Sequence, residues 1–291
     1  MSDKPLVVTA FDEKYALLGA ALLASLTQHA PATVAIRVLD LGLRKSSLLK
    51  LKRWVSSLSV DIEFVRVTPH TFTEIIGFDV KNLRDLKYYN RLLAPYMFQG
   101  YRRILYLDAD TICVSGYSEI FKMDLSEKLV GACRDIGFPD FGSAVGKSGF
   151  KVVNNHVVLG FAASSPYFNS GVLLIDAEKW VRENISLKVL DVSVANQSNI
   201  FLYDQYGLNV VLHAKWIQLD SRWNHIHDKL PAETVFRHFA KLKPTQYVYN
   251  GSDREIFFNY LDRTPFRGFR PGFFVHILEL IRRKAKKLVS I

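Results

Sequence analysis

Short apolar runs of strand length alternate with longer helical stretches through the first part of the chain. Residues 6–10, 34–39 and 62–67 read as strands, with helices over 15–28 and 46–58 between them. In the second helix Leu48, Leu49, Leu51 and Val55 make the apolar side, and Pro69 closes the third strand. Such alternation predicts βαβ units and a parallel sheet. Residues 83–98 predict a helix interrupted at Pro95, which delivers the chain to a strand beginning at Ile104. Residues 130–133 and 172–175 continue the strands, and Asp176 opens a helix that holds Trp180. A helix over 203–212 and short strands over 216–219 and 235–239 complete the pattern, with Trp223, Asn224, His225 and His227 in a loop between those strands. Gly, Ser, Asn and Pro at both ends of 137–167 predict a long loop, with a hairpin near 151–159, over the end of the sheet.

The run RILYLDADTICV, residues 103–114, is the centre of this pattern. Ile104, Leu105, Tyr106 and Leu107 predict a strand covered on both faces. Desolvating an unpaired carboxylate is too costly for Asp108 and Asp110 to lie inside such a strand. They must stand at its carboxyl end, where open α/β sheets bind ligands. Two carboxylates separated by one small residue, Ala109, offer the oxygens that a hard divalent cation takes. A solvated turn after a strand has the same composition, so the spacing alone leaves both readings open. No glycine-rich phosphate loop follows the first strand, which disfavours dinucleotide and ATP binding.

Composition narrows the class without naming it. The 291 residues are 49% hydrophobic and 23% charged, ordinary values for a chain with a sizeable core. Cys113 and Cys133 lie in apolar, strand-like runs and predict reduced core thiols of a cytoplasmic protein. The polar, acid-bearing start shows no secretory signal. Residues 15–36 are uncharged, but their continuous apolar part is about a dozen residues, short of the roughly 20 of a spanning helix. A buried helix is expected there.

The net charge of +10 is uneven. From Phe266 to the end, seven Arg or Lys and one acid give 7 − 1 = +6, leaving +4 for the other 265 residues. In this tail Phe273, Phe274, Ile277, Leu278, Ile281, Ala285 and Leu288 recur at helical spacing, beside Arg282, Arg283, Lys284, Lys286 and Lys287. The pattern predicts a basic amphipathic helix on an anionic membrane surface. The basic residues lack interleaved aromatics for base stacking, so nucleic acid is not an expected partner.

Six patches stand in order along residues 6–245. They are an opening strand ending at Ala10 with Asp12 and Tyr15 after it, Tyr-x-Arg at 89–91, LYLDAD at 105–110, FNSGVLLID at 168–176, DQ-x-x-LN at 204–209, and His238-Phe239 followed by Lys243-Pro244. Together they resemble glycosyltransferase family 8, retaining enzymes that use nucleotide sugars. The resemblance implies an α/β architecture of the GT-A (nucleotide-diphospho-sugar transferase) fold for residues 1–265, a central, mostly parallel sheet flanked by helices, followed by the basic tail 266–291. It implies that Asp108 and Asp110 bind a divalent metal, Mn2+ typically and Mg2+ as the alternative, with His238 as third ligand. Tyr15 is placed on the uracil and Asp12 at the base or nearby backbone, with Ala10 and Ala109 also on the donor-binding surface. Arg91 is placed in contact with the donor, Asn169 and Ser170 beside the sugar, and Asp204 and Gln205 facing it as the catalytic pair. Retention would come from double displacement, with a carboxylate such as Asp204 as nucleophile, or from front-face attack with Gln205 nearest the anomeric carbon. Sequence leaves both open.

Two departures from the family pattern stand out. Its last motif commonly runs His-x-x-Gly-x-x-Lys-Pro-Trp, whereas this chain has HFAKLKPT, without the glycine, one residue shorter, and with Thr245 for tryptophan. Glycine lets backbone approach phosphate closely, so Lys241 or Lys243 is expected to take the pyrophosphate as a point charge. Tyr206 stands where many relatives carry an acid, which excludes a nucleophile there. The expected activity is a metal-dependent retaining transfer of glucose or galactose from a UDP-sugar to a cell-surface glycan or glycolipid such as lipopolysaccharide core, at the inner face of the cytoplasmic membrane. The alternatives are a glycogenin-like glucan-priming transferase, or a relative that binds nucleotide sugar without turnover.

Overall fold

A computed structural model describes residues 4–31, 33–83, 85–144, 157, 159–196, 203–227 and 229–273. Its strands are β1 (Leu6–Phe11), β2 (Ala35–Asp40), β3 (Asp61–Arg66), β4 (Arg103–Asp108), β5 (Thr111–Cys113), β6 (Val130–Arg134), β7 (Phe168–Asp176), β8 (Trp216–Gln218) and β9 (Phe236–His238). The main sheet has the order β3-β2-β1-β4-β7-β6-β8. The β3-β2-β1-β4 half is parallel, β7 runs antiparallel to both β4 and β6, and β8 is parallel to β6. Mostly parallel pairing follows from the connections, because α1 (Ala16–Gln28) joins β1 to β2 and α2 (Lys45–Val55) joins β2 to β3. The expected α/β architecture is thus observed.

Strand periodicity divides the interior into two cores. On β4, Leu105 and Leu107 face the core that holds Val7, Phe11, Val172 and Leu174. Ile104 and Tyr106 face the other, with Leu6, Val8, Leu173 and Ile175. A run of consecutive apolar residues is what a strand buried on both faces requires. The uncharged α1 is buried nearly all round, as expected. It lies so close to β1 that a Cβ at Gly19 would come 2.5 Å from the Phe11 ring.

A second, two-stranded sheet pairs β5 with β9 antiparallel, with Thr111 opposite His238. β9 falls within the strand expected over 235–239, but its pairing with β5 joins segments too far apart along the chain for a local pattern to show. Other expectations need correction. Residues 83–98 are not one helix: 3₁₀ turns at Leu86–Tyr88 and Asn90–Leu93 precede one α-helical turn, Ala94–Met97. Asp85 adopts a left-handed conformation with φ 53° just before this series. Pro95 lies in the first turn of Ala94–Met97, where its missing N–H sacrifices no bond, so it starts a helix rather than interrupting one. Phe168, Asn169, Ser170 and Gly171 lie within β7 rather than ahead of it, and all are buried. The hairpin expected near 151–159 falls on residues outside the described set, apart from 157 and 159.

Cys113 and Cys133 are free and buried. Past Leu261, Phe266 and Phe269 still pack on the first core, and Arg270 pairs with Asp262 at 2.7 Å. The helix expected further along the tail lies outside the described residues from 274 onward. Among the described residues, no helix is long and apolar enough to cross a membrane.

The small sheet is tied to α1 by one buried side chain. Ser25 Oγ accepts the Cys113 N–H at 2.9 Å and donates to Leu22 O at 2.7 Å. Ser25→Ala orphans a buried amide and should lower stability by about 1–3 kcal/mol. Urea denaturation of the two proteins measures it.

Candidate active site

A cleft of about 600 Å³ opens at the carboxyl ends of β1 and β4, and every site residue named from the sequence lines it. Asp108 ends β4, level with Ala10 on β1. Ala109 and Asp110 follow as the chain turns into β5. His238 ends β9 and is carried to them by the small sheet, where the Phe239 N–H also donates to Asp110 O at 2.8 Å. Asn169 and Ser170 come from the start of β7, and Asp204 and Gln205 from the first turn of the Tyr203–Val211 helix. Asp12 caps the short Glu13–Tyr15 turn by accepting from Tyr15 N at 3.2 Å, which presents the Tyr15 ring at the rim. Burial first, then the Asp110 charge, pushes the Tyr15 phenol up to about 12. It is a neutral ring at any working pH.

Arg91 is the hub. Its Nη2 donates to Asp108 Oδ1 at 3.0 Å, its Nε meets Asp204 Oδ2 at 2.6 Å, and its Nη1 donates to Ser170 O. The guanidinium also lies over the Tyr106 ring, 4.7 Å from its centroid. Burial opposes its charge, but Asp108 and Asp204 outweigh burial and raise its pKa further. Only 6% of Arg91 is exposed, so its donors serve the protein's own groups. Gln205 is similarly engaged: Oε1 accepts from Ser170 N at 3.0 Å and Nε2 donates to Asp135 Oδ2 at 3.1 Å.

Asp108, Asp110 and His238 can each offer one ligand atom, all within 4.8 Å of one another. Two carboxylate oxygens and one imidazole nitrogen suit a divalent ion of the Mn2+ or Mg2+ kind and leave room for further oxygen ligands. The His238 ring is braced on its far side by Asn224 Oδ1, 2.9 Å from Nδ1, so Nε2 is the atom turned to the carboxylates. The Lys243 ammonium is in ionic contact with Asp110 Oδ2 and also reaches Phe239 O and Ala240 O. Burial works to raise Asp110, but the Lys243 ammonium beside it outweighs burial and holds this carboxyl well below the usual range. A positive centre at Asp110 is therefore compatible with the site, and the donor set fits a metal.

Sequence reasoning missed Asp135. It follows β6 directly, lines the cleft, and accepts from Asn169 Nδ2, Gln205 Nε2 and the Gly137 and Phe138 amides. The signal was present, since an acid at the end of an apolar strand is the criterion that singled out Asp108. Tyr88 and Tyr203 were missed too; their rings stack 4.4 Å apart, 14° from parallel, on the cleft wall. No local pattern could have paired them.

The architecture is the GT-A fold. The chain superimposes with a TM-score of 0.70 on galactosyltransferase LgtC in complex with donor and acceptor sugar analogs, at 20% identity over 89% of this chain and 96% of that one. With the bifunctional glycosyltransferase WbbM the TM-score is 0.77, at 21% identity over 92% of this chain and 51% of WbbM. The profile of glycosyl transferase family 8 matches residues 6–245, and the chain belongs to that family. It is 26% identical over 224 residues to general stress protein A of Bacillus subtilis, covering 75% of this chain and 72% of that protein. It is 26% identical over 193 residues to the lipopolysaccharide 1,3-galactosyltransferase of Salmonella typhimurium, covering 62% of this chain but about half (52%) of that protein.

Asp204 titrates unusually. Burial pushes its carboxyl up to about 7, against the pull of Arg91 and with repulsion from Asp108 added. The folded pKa lies above the unfolded value of about 4, so the bound proton stabilises the fold at low pH. That contribution declines as pH rises from about 4 through about 7. Wild type should therefore lose stability relative to Asp204→Asn between about pH 5 and about pH 8. Melting temperatures of both proteins at the two pH values report it, and a constant difference would contradict the assignment.

Proposed function

We propose that this protein is a retaining hexosyltransferase that moves glucose or galactose from a UDP-sugar to a hydroxyl of a cell-surface glycan, lipopolysaccharide core being the favoured class. The observation that carries the reading is the convergence of Asp108, Asp110 and His238 beside the Asp204–Gln205 pair in one cleft. The galactosyltransferase named above, which is a lipopolysaccharide enzyme, supports the acceptor class. Asp108, Asp110 and His238 would hold the divalent ion. An ion held there would supply Lewis-acid neutralisation of the charge growing on a departing diphosphate.

The protein's own groups do the rest. Tyr15 at the rim offers a flat face to the uracil, and Asp12 orders the turn that presents it. Lys243 supplies the point charge for the diphosphate, in place of the close backbone approach that the missing glycine would allow. Arg91 holds Asp108 and Asp204 at fixed positions. Asp204 Oδ2 lies against Arg91, which disfavours it as a nucleophile. We therefore favour front-face attack: the bond from the anomeric carbon to phosphate oxygen breaks, its electron pair leaves with the diphosphate, and the acceptor oxygen bonds on the same face. The acceptor's proton passes to the leaving phosphate oxygen. Gln205, its oxygen turned to Ser170 N, stabilises the positive sugar in between. We keep residues 1–265 as the transferase body, on which Phe266, Phe269 and Arg270 also pack. We assign the basic stripe of the tail beyond them, within 266–291, to an anionic membrane surface beside a lipid-linked acceptor, on the inner face of the cytoplasmic membrane.

Release of UDP from a panel of UDP-sugars tests the reading. One sugar should turn over with Mn2+, and EDTA or Asp110→Asn should lower the rate by about 100-fold or more. Absence of any UDP binding would overturn the proposal.

Lys243 gives a separate test, because its ammonium is in ionic contact with Asp110, one of the metal-ligand candidates. Lys243→Gln should bind Mn2+ alone about tenfold more tightly and UDP about tenfold more weakly, a swing of about 1.4 kcal/mol each way. Calorimetric titrations with each ligand separate the two effects.

A further inference from the structure

We propose that Asn224 is a positioning residue that decides which ring nitrogen of His238 faces Asp108 and Asp110, through a one-way relay of hydrogen bonds that starts at a backbone amide. The inference rests on the metal-site reading above. The relay begins at Gly171, whose backbone N–H donates to Asn169 Oδ1 at 3.0 Å. A backbone amide can only donate, so the atom it meets on Asn169 is the carbonyl oxygen, and the orientation of that side-chain amide follows. Asn169 Nδ2 accordingly donates to Asp135 Oδ2 at 2.9 Å. The same Asn169 oxygen accepts from Asn224 Nδ2 at 2.9 Å. With Asn224 turned over, two carbonyl oxygens would oppose each other. Asn224 Oδ1 therefore faces His238 Nδ1 at 2.9 Å.

An amide oxygen only accepts, so the proton of the neutral imidazole belongs on Nδ1. Nε2 then presents its lone pair 3.3 Å from Asp110 Oδ1 and 4.0 Å from Asp108 Oδ2. Lone pairs opposed at that distance repel unless a positive centre lies between them, which is the arrangement of two ligands of one cation. The opposite tautomer would set a lone pair against the Asn224 oxygen and fill the ligand position with a hydrogen.

Burial makes the relay binding. Asn169, Asn224 and His238 are 9%, 2% and 3% exposed, so water cannot take the place of a missing partner. The position of the ring is as constrained as its polarity. A Cβ at Gly171 would lie 2.3 Å from His238 Cε1 and 2.8 Å from Nδ1, so the imidazole rests directly on the backbone that starts the relay. Asn224 itself is held at the end of the Ser221–Trp223 turn, its N–H donating to Ser221 O at 3.1 Å, with Trp223 buried beneath it. One consequence concerns Asn169. Two donors saturate its oxygen, so its second amide hydrogen is what it can offer a sugar hydroxyl. Through Asp135, the groups on the sugar side of the cleft are thus in register with the metal ligand.

The test reads the ring as well as the metal. In ¹⁵N NMR spectra of the metal-free protein, with the His238 signals identified by their loss in His238→Gln, wild type should show the proton on Nδ1 and Nε2 bare. Asn224→Leu should lose this single tautomer and bind Mn2+ alone about 10–100-fold more weakly. Asn224→Asp keeps an acceptor for Nδ1–H but sets its second oxygen against Asn169 Oδ1, so it should keep the Nδ1 proton and recover only part of the lost affinity. A wild-type ring protonated on Nε2, or an Asn224→Leu protein with unchanged tautomer and Mn2+ affinity, would overturn the proposal. Wild type with the Nδ1 proton but no uptake of Mn2+ would support the relay and sink the metal reading alone. The wild-type spectrum decides the tautomer even where a variant fails to fold.

Discussion

One buried guanidinium makes the acidic cleft possible. Asp108 stands at the end of a central strand and Asp204 on the first turn of a helix; Asp204 is buried, while 26% of the Asp108 side chain faces the cleft. Like charges there repel strongly, and each carries its own desolvation cost. Arg91 meets both carboxylates and the Ser170 carbonyl at once, while its flat face rests on Tyr106. The fork geometry matters, because an ammonium could not hold two carboxylates at fixed angles. Removing one partner from such a group leaves an uncompensated buried charge, a loss of about 3–5 kcal/mol. The arrangement also explains why 83–98 is a chain of tight turns: it must thread Arg91 between the sheet and the Tyr203–Val211 helix.

The second constraint is the return of the chain to Asp110. After Asp108 the chain folds into β5, and β9 comes back from more than a hundred residues away to pair with it. That pairing costs little surface, yet it sets His238, Phe239 and the Lys243 loop beside the two acids. Ser25 on α1 holds the other end of β5 by accepting the Cys113 amide. The helix that packs on β1 and the strand that completes the cleft are therefore mechanically one unit.

Much of this was legible from the linear chain. The four central strands were readable because a strand buried on both faces must be apolar without interruption, as in Ile104–Leu107 and Val172–Ile175. The two acids after β4 were readable because an unpaired carboxylate cannot stay in such a strand. Asp135 could have been found by the same argument and was not. The 83–98 turns resist a linear reading because their apolar content suits a helix as well as a run of 3₁₀ turns, and a proline in a first turn opens a helix where one in an interior breaks it.

Sequence by itself determined the α/β class, the position of Asp108 and Asp110 at a strand end, and, through six ordered patches, the family. These are local or repetitive signals, set by period, polarity and short motifs. Only the tertiary structure decided that Arg91 joins Asp108 to Asp204, that Asn169 and Asn224 orient His238, and that Lys243 lies on Asp110. Each of these joins residues brought together from separate elements. Their partners are chosen by the directions of donors and acceptors in a dry interior, and those directions exist only once the chain has folded.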